Sequence, residues 1–478
     1  MSNATQSLAG TRISSLLDAN SFVEIGQAVT ARNTDFNLTE QKAPSDGVVT
    51  GSGLIDGKLV YVYSQDASVL NGTIGEMHAK KITRLYDLAM KTGAPVIGLI
   101  DCAGLRLQEA TDALNAFGEI YLKQTLASGL IPQISGIFGV CGGGMAMVPA
   151  LTDFTFIEEK KGKLFVNSPN AIEGNTIGKK DTSDAHFQSE ETGLIDGMGT
   201  EEEILAQIRE LVTLLPSNNE DSDSYTECTD DLNRLCADIV DCAGDTALAL
   251  VRIADDNVYF ETKADYGMDM TTGFIRLNGA TIGCVANRSV VYDEEGNEKA
   301  SFNGTISYHG AKKAAEFVKF CDSFEIPVLT LTNATGFSAT LCNERNLAKA
   351  VGSLIHAFAD ATVPKVNVVI GKAYGTAYVA MNSKALGADL VYAWDNAEIG
   401  MMDASLAAKI MYAGSDAAVL QEKAAEYQQL QSGIASAAAR GYVDTVIAPA
   451  DTRKYVIGAF EMLYTKSEDR PAKKHGTV

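Results

Sequence analysis

IPQISGIFGVCGGGMAMV, running from Ile131 to Val148, decides how the chain is read. A proline opens an apolar run, a cluster of glycines closes it, and small apolar residues follow. This is the pattern of a buried strand, a tight turn and a helix start. The stretch lies inside Gln124–Thr152, which carries no charge and is long enough to span a bilayer. Pro132, Gln133, Pro149 and five glycines between Gly136 and Gly144 favour a buried strand-to-helix unit instead. The same unit returns 232 residues later as VPKVNVVIGKAYGTAYVA, Val363–Ala380, with Pro132 over Pro364, Gly139 over Gly371 and Gly143 over Gly375.

Working outward, the offset of 232 persists. Asn71-Gly-Thr-Ile74 recurs as Asn303-Gly-Thr-Ile306, Lys80-Lys81 as Lys312-Lys313, Pro95 as Pro327 and Gly104 as Gly336. Upstream, Gly51–Val60 matches Thr272–Thr281, with an acidic insertion near Asp293–Lys299 in the second copy. A duplicated chain follows. Each copy reads as a strand hairpin turning at Asp-Gly or Asn-Gly, a helix (Lys80–Lys91, Lys312–Phe324), and a buried strand (Pro95–Asp101, Pro327–Asn333). A second helix, a second buried strand and the glycine turn complete it. Strands alternating with helices give an α/β class. The polar, acidic stretch Pro216–Asp231 reads as the linker, dividing the chain into domains 1–225 and 226–478.

Composition narrows the partners. The 478 residues include Lys+Arg 39 and Asp+Glu 61, a net charge of −22, which argues against nucleic acid or an anionic membrane as main partner. Hydrophobic residues at 46% and charged residues at 21% exclude disordered and fibrous classes. Cysteines 102, 141, 228, 236, 242, 284, 321 and 342 form no CxxC pair, as expected of reduced thiols in a cytoplasmic protein. MSNATQSLAG has no basic stretch followed by an apolar one, so no secretion signal is read there.

The repeated turns are where chemistry is expected. Gly139–Gly144 and Gly371–Gly375 each leave a buried strand and open a helix, where glycine admits a ligand to the backbone and unpaired N–H groups stabilise a negative oxygen. Glycines of this kind also serve tight strand–helix packing, and two matched copies favour a pair of anion sites over that. Other motifs are weaker. Gly174–Lys180 is a P-loop lacking one spacer and its Ser/Thr, and reads as a surface loop. His78, His186, His309, His356 and His475 show no zinc spacing, so no metal is expected. Asp101, Glu109 and Glu119 read as solvated or helix-capping groups, and no general base stands out.

The chain also resembles the carboxyltransferase subunits of biotin-dependent acyl-CoA carboxylases and decarboxylases: the propionyl-CoA carboxylase β type and the methylmalonyl-CoA decarboxylase α type. RISSLLDANSFVEIG (Arg12–Gly26), GEMHAKKI (Gly75–Ile82), GAPVIGLIDCAGLRLQEATDAL (Gly93–Leu114) and ASGLIPQISGIFGVCGGG (Ala127–Gly144) carry the resemblance. In the second half it rests on KFCDSFEIPVL (Lys319–Leu329), ATVPKVNVVIGKAYGTAYVAM (Ala361–Met381) and RPAKKHG (Arg470–Gly476). It implies two crotonase-like (ClpP/crotonase) domains in tandem, the first on the acyl-CoA side and the second on the biotin side, in a homo-hexamer. The implied reaction moves carboxyl between carboxybiotin on a separate carrier protein and the α-carbon of a short acyl-CoA. Gly143 and Gly144 then match the donors to the thioester oxygen, and Thr376 and Ala377 those to the biotin ureido oxygen. Gly142, Cys102, Ala103, Gly104, Arg106, Tyr374, Gly375 and Val379 match the surrounding binding residues. Implied partners are a biotin carboxyl carrier protein and either a biotin carboxylase or a membrane decarboxylase subunit, the latter placing the chain at the membrane periphery. Arg106, the Lys80/Lys81 pair and Lys372 are candidates for CoA phosphates.

Departures from the family pattern gather at the expected ligand surfaces. Thr376 replaces a glycine, and Val379 sits at a position tied to acyl-chain choice. Cys102-Ala-Gly-Leu-Arg106, Asn333-Ala-Thr-Gly-Phe337, Ala348–Ser353 and Met402-Asp-Ala-Ser-Leu406 also differ. An active carboxyltransferase with a shifted substrate fits them, as does a non-catalytic scaffold subunit in a hetero-oligomer with an active paralogue. A biotin-free hydratase or isomerase fits poorly, because no glutamate is placed as its base.

Overall fold

The computed structural model describes residues 7–33, 43–221, 225–293, 295–468 and 470. Of RPAKKHG only Arg470 is described, and 222–224 of the expected linker fall outside. The chain forms two compact units, Met1–Ser224 and Tyr225–Val478.

Unit 1 is built on one sheet of β1 (Val23–Glu24), β2 (Val48–Ile55), β3 (Lys58–Gln65), β4 (Val96–Cys102), β5 (Gln133–Gly142), β6 (Phe154–Glu158), β7 (Lys163–Phe165) and β8 (Gly197–Gly199). The order is β1-β2-β3-β4-β5-β6-β8, with β7 paired to the end of β5. The β1–β2 and β2–β3 pairs are antiparallel and the rest parallel. In unit 2, β9 (Tyr259–Thr262), β10 (Met270–Leu277) and β11 (Ala280–Asn287) precede a small hairpin of β12 (Val290–Tyr292) and β13 (Glu298–Ser301). Then come β14 (Thr305–Ile306), β15 (Val328–Ala334), β16 (Gly336–Phe337), β17 (Lys365–Tyr374), β18 (Leu390–Trp394), β19 (Glu398–Gly400) and β20 (Thr445–Ile447). The order β9-β10-β11-β15-β17-β18-β20, with β19 on the end of β17, repeats unit 1 strand for strand. The central parallel strands are covered on both faces. That is why VIGLIDC and VVIGKAY read as near-continuous apolar runs rather than alternating ones.

The hairpin turns correct the upstream alignment by one residue. Asp56 and Gly57 have φ of 46° and 80°, and Asn278 and Gly279 have 49° and 79°, the paired positive values of a tight hairpin turn. Gly57 therefore answers to Gly279, and the β12–β13 hairpin takes up the insertion before the 232 offset resumes.

Helices Glu76–Thr92 and Tyr308–Ser323 follow the hairpins, each with a local stop or start. The first ends at Gly93 in the left-handed region (φ 63°), and Glu109 caps its start, Oε2 accepting from the Glu76 N–H at 2.6 Å. The second starts at Ser307, whose Oγ accepts from the Gly310 N–H at 3.0 Å.

Each of these helices sends a lysine inward at the same offset. Lys81 Nζ donates to the carbonyls of Ser45 and Val48 and to Ser45 Oγ. Lys313 Nζ donates to the carbonyls of Lys263 (2.7 Å) and Tyr266 (2.8 Å). Burial lowers Lys81 to about 8 and Lys313 to about 7. Lys81 is thus a structural donor and not a CoA-phosphate ligand, while Lys80 lies exposed, paired with Glu76 at 2.6 Å. A folded-state pKa below the unfolded value means the unfolded chain holds the extra proton between the two. Lys313 therefore contributes stability that grows as pH rises above 7. Against a Lys313→Met variant, wild type is expected to gain about 1.4 kcal/mol per pH unit between pH 7 and 10. Urea midpoints of the two proteins across that range check it; a constant difference would contradict the burial assignment.

Candidate functional site: the paired strand-end turns

The two long central strands run on to Gly142 and Tyr374, so the functional turns begin three residues later than the apolar runs suggest. Gly143 (φ 61°) and Gly375 (φ 59°) then reverse the chain through the left-handed region, where glycine carries no Cβ penalty. Short helices start at once: a 3-10 turn Gly143–Ala146 leading into Met147–Ala150, and Gly375–Ala380 in unit 2. The first N–H groups of each helix have no acceptor within it.

The units also match in the packing behind these turns. An added Cβ at Gly139 would lie 2.1 Å from Asp101 Oδ1, and one at Gly371 would lie 2.4 Å from Asn333 Oδ1. Polar side chains at the ends of β4 and β15 thus fill the space the glycines leave. Asp101 is held by Arg12 at 3.4 Å, whose guanidinium lies over the Phe138 ring. Asn333 is instead held by hydrogen bonds, its Nδ2 donating to the Ala243 carbonyl at 3.1 Å and its Oδ1 accepting from the Lys372 N–H at 3.0 Å.

The shared offset places Gly143 on Gly375, Gly144 on Thr376 and Met145 on Ala377. The pairs Gly143/Gly144 and Thr376/Ala377 are therefore one residue out of step, and the unit 1 counterpart of Ala377 is Met145. Gly144 and Thr376 are both exposed; Met145 and Ala377 are both buried, each 1% exposed. The duplication itself carried the signal for Met145. Tyr121 fixes the unit 1 turn from its far side, donating to the Gly144 carbonyl at 2.5 Å.

Around the unit 1 turn, Cys102 pairs in register with Cys141, and Gly104 (φ 107°) backs onto the Gly142 carbonyl. Cys102, Ala103 and Gly104 are thus brought to the turn. The Cys102 thiol is fully buried and burial pushes it up to about 12, so it is inert packing. Arg106 is a correction. Its guanidinium is fully buried, paired with Asp46 and with Glu109 at 2.8 Å, and donates to the Thr73 carbonyl at 2.7 Å. It cannot meet a phosphate at the surface. Glu109 is accordingly a buried counter-ion as well as a cap.

In unit 2 a cavity of about 410 Å³, within the usual ligand-site range, opens on the turn. Tyr374, Gly375, Thr376 and Ala377 line it, and sequence reasoning placed all four at a ligand. Its remaining walls are Asn303, Thr335–Phe337, Lys372, Met401–Asp403 and Leu406, seen beforehand chiefly as departures from a family pattern. Val379 and Ala348–Ser353 do not line it. Val379 is half-buried, its carbonyl accepting from Ser383 Oγ at 3.1 Å. Among the described residues no group of three His, Cys, Asp or Glu is placed to hold a metal, and no helix is long and apolar enough to cross a membrane. The Gly174–Lys180 stretch is an almost wholly exposed turn.

A family model, the carboxyl transferase domain, matches residues 3–478. The chain belongs to the carboxyl transferase family. It is 39% identical to the propionyl-CoA carboxylase β chain of Roseobacter denitrificans, covering 98% of this chain and 92% of that one. It is 38% identical to the methylmalonyl-CoA decarboxylase α subunit of Propionigenium modestum, with the same coverages. Among solved structures, a transcarboxylase 12S hexamer with hydrolysed methylmalonyl-CoA matches with TM-score 0.92 and 36% identity, over 99% of this chain and 93% of that one. The two units of this carboxyl transferase chain are crotonase-like domains in tandem.

Proposed function

We propose that this chain transfers a carboxyl group between biotin on a carrier protein and the α-carbon of a short-chain acyl-CoA. The observation that carries the reading is the pair of strand-end turns, each with a positive-φ glycine followed by an exposed residue, Gly144 in one and Thr376 in the other, the second turn opening on a cavity. Biotin, when bound, supplies the ureido nitrogen that bears the carboxyl group. The chain's own part is electrostatic: N–H groups of Gly144 and Met145 hold the thioester oxygen as it gains charge, and those of Thr376 and Ala377 hold the ureido oxygen. The residues fit such a group, because the unit 2 cavity combines these donors with the apolar walls of Phe337, Met401 and Leu406. Unit 1 then serves acyl-CoA and unit 2 biotin. The 12S hexamer, the carboxylase β chains and the decarboxylase α subunits support a homo-hexamer working with a biotin carrier and a biotin carboxylase or membrane subunit.

Purified protein with free biotin and malonyl-, methylmalonyl- or glutaconyl-CoA tests the reading. Biotin-dependent loss of CO2 from one thioester, followed by mass spectrometry, is expected. A folded oligomer inert across the panel would overturn it in favour of a scaffold subunit.

A further inference from the structure

The residue just before each turn differs between the units, and so does its cross-strand partner. In unit 1, Gly142 stands opposite Phe165, whose ring occupies the space a Cβ would take, 2.7 Å away. In unit 2, Tyr374 stands opposite Gly400. The Tyr374 side chain is buried, 4% exposed, and its hydroxyl donates to Glu398 Oε2. Glu398 Oε1 accepts from Gln428 Nε2 at 3.0 Å, and the Glu398 backbone bridges to Gly433. One carboxylate thus ties the end of β17, strand β19 and the turn after helix Ala417–Tyr427. Met401, Met402 and Asp403, which wall the cavity, leave β19 immediately, and the Met401 carbonyl lies 3.2 Å from where a Gly375 Cβ would stand.

We propose that Tyr374 is a positioning residue for the turn Gly375–Ala377, acting through its hydrogen bond to Glu398 to set that turn against the Met401–Asp403 wall. The proposal rests on assigning this turn to the biotin ureido oxygen. Oxyanion donors work only when they need no rearrangement during the reaction, and a turn pivoting on a left-handed glycine has little stiffness of its own. Unit 1 packs the Phe165 ring beside Gly142 and ties the Gly144 carbonyl to Tyr121; unit 2 ties the strand end by a phenol–carboxylate bond to Glu398. Burial and the Glu398 carboxylate raise the Tyr374 phenol above its ordinary value, so the hydroxyl stays a donor at working pH.

The test compares Tyr374→Phe, Glu398→Ala and Glu398→Gln in the full-length protein by amide hydrogen exchange and by biotin-dependent decarboxylation. Tyr374→Phe and Glu398→Ala are expected to speed exchange of the Met381 N–H, which bonds to the Ala377 carbonyl of the turn, by about tenfold or more, with the Met147 N–H, bonded to the Gly144 carbonyl, unchanged. They should also lower kcat with free biotin by about 10- to 100-fold while leaving KM for the thioester unchanged. Glu398→Gln keeps an acceptor for the hydroxyl and should restore both readouts to near wild type. Unchanged exchange of the Met381 N–H in Tyr374→Phe, equal loosening at Met147, or no restoration by Glu398→Gln overturns the proposal. If wild type shows no biotin-dependent turnover but exchange responds as expected, the functional reading fails and the positioning role stands.

Discussion

Thr376→Pro is expected to lower kcat by about 10²–10³ with the fold intact. Thr376 is the second residue of helix Gly375–Ala380, where proline is tolerated because no intrahelical hydrogen bond uses that N–H. The substitution removes one backbone donor from the cavity; because proline also constrains the left-handed Gly375 before it, the loss is assigned to the donor when the thermal midpoint stays at the wild-type value. Thr376→Gly is the control. It keeps the N–H and drops only the exposed side chain, so it should retain kcat. Steady-state kinetics with free biotin, alongside circular dichroism and a thermal midpoint, separate the cases. A Thr376→Pro enzyme within about threefold of wild type would remove the backbone donor from the mechanism.

The largest stability effect is expected at Arg106. It is the only fully buried guanidinium in unit 1 among the described residues and faces two carboxylates, Asp46 and Glu109, that are buried with it. Arg106→Met leaves both without their counter-charge and the Thr73 carbonyl without a donor. The cost is about 3–5 kcal/mol, enough to unfold much of unit 1 at moderate urea. Burial already holds the Asp46 carboxyl above its ordinary value in spite of Arg106. Without the arginine Asp46 takes up a proton more readily, so the folded variant binds more protons than wild type and its deficit shrinks as pH falls from 8 to 5. Urea titrations of both proteins at the two pH values measure this. A deficit below about 1 kcal/mol would mean the pair is replaceable by apolar packing.

Most of the architecture was legible because the chain is written twice. Each half confirms the other, and the 232 offset holds from Asn71 to Gly143. The hairpin slipped by one residue because matching Gly51–Val60 to Thr272–Thr281 puts Gly57 on Asn278 and Gly273 on Ser52, and the turn geometry at Gly57 and Gly279 restores the pairing. The charged residues were the least legible. Arg106 and Lys81 look like surface cations, yet Asp46 lies 60 residues from Arg106, and the carbonyls that hold Lys81 belong to the Ser45–Val48 stretch. A linear reading shows neither. The cavity wall at Met401–Leu406 has no periodic signature and is set by the bend after β19, so it surfaced only as a departure from pattern.

The exchange of Gly142 and Phe165 for Tyr374 and Gly400 bears on how the two halves have diverged. Although they follow one path, neither half accepts the other's strand end by itself. A tyrosine placed at 142 would meet the Phe165 ring, and a glycine at 374 would lose the hydroxyl that bonds Glu398. An exchange between the halves that carried one residue without its partner would break the contact that residue makes. The two strand ends are thus not interchangeable, and a change that suits one turn does not carry over to the other by exchange of a single residue.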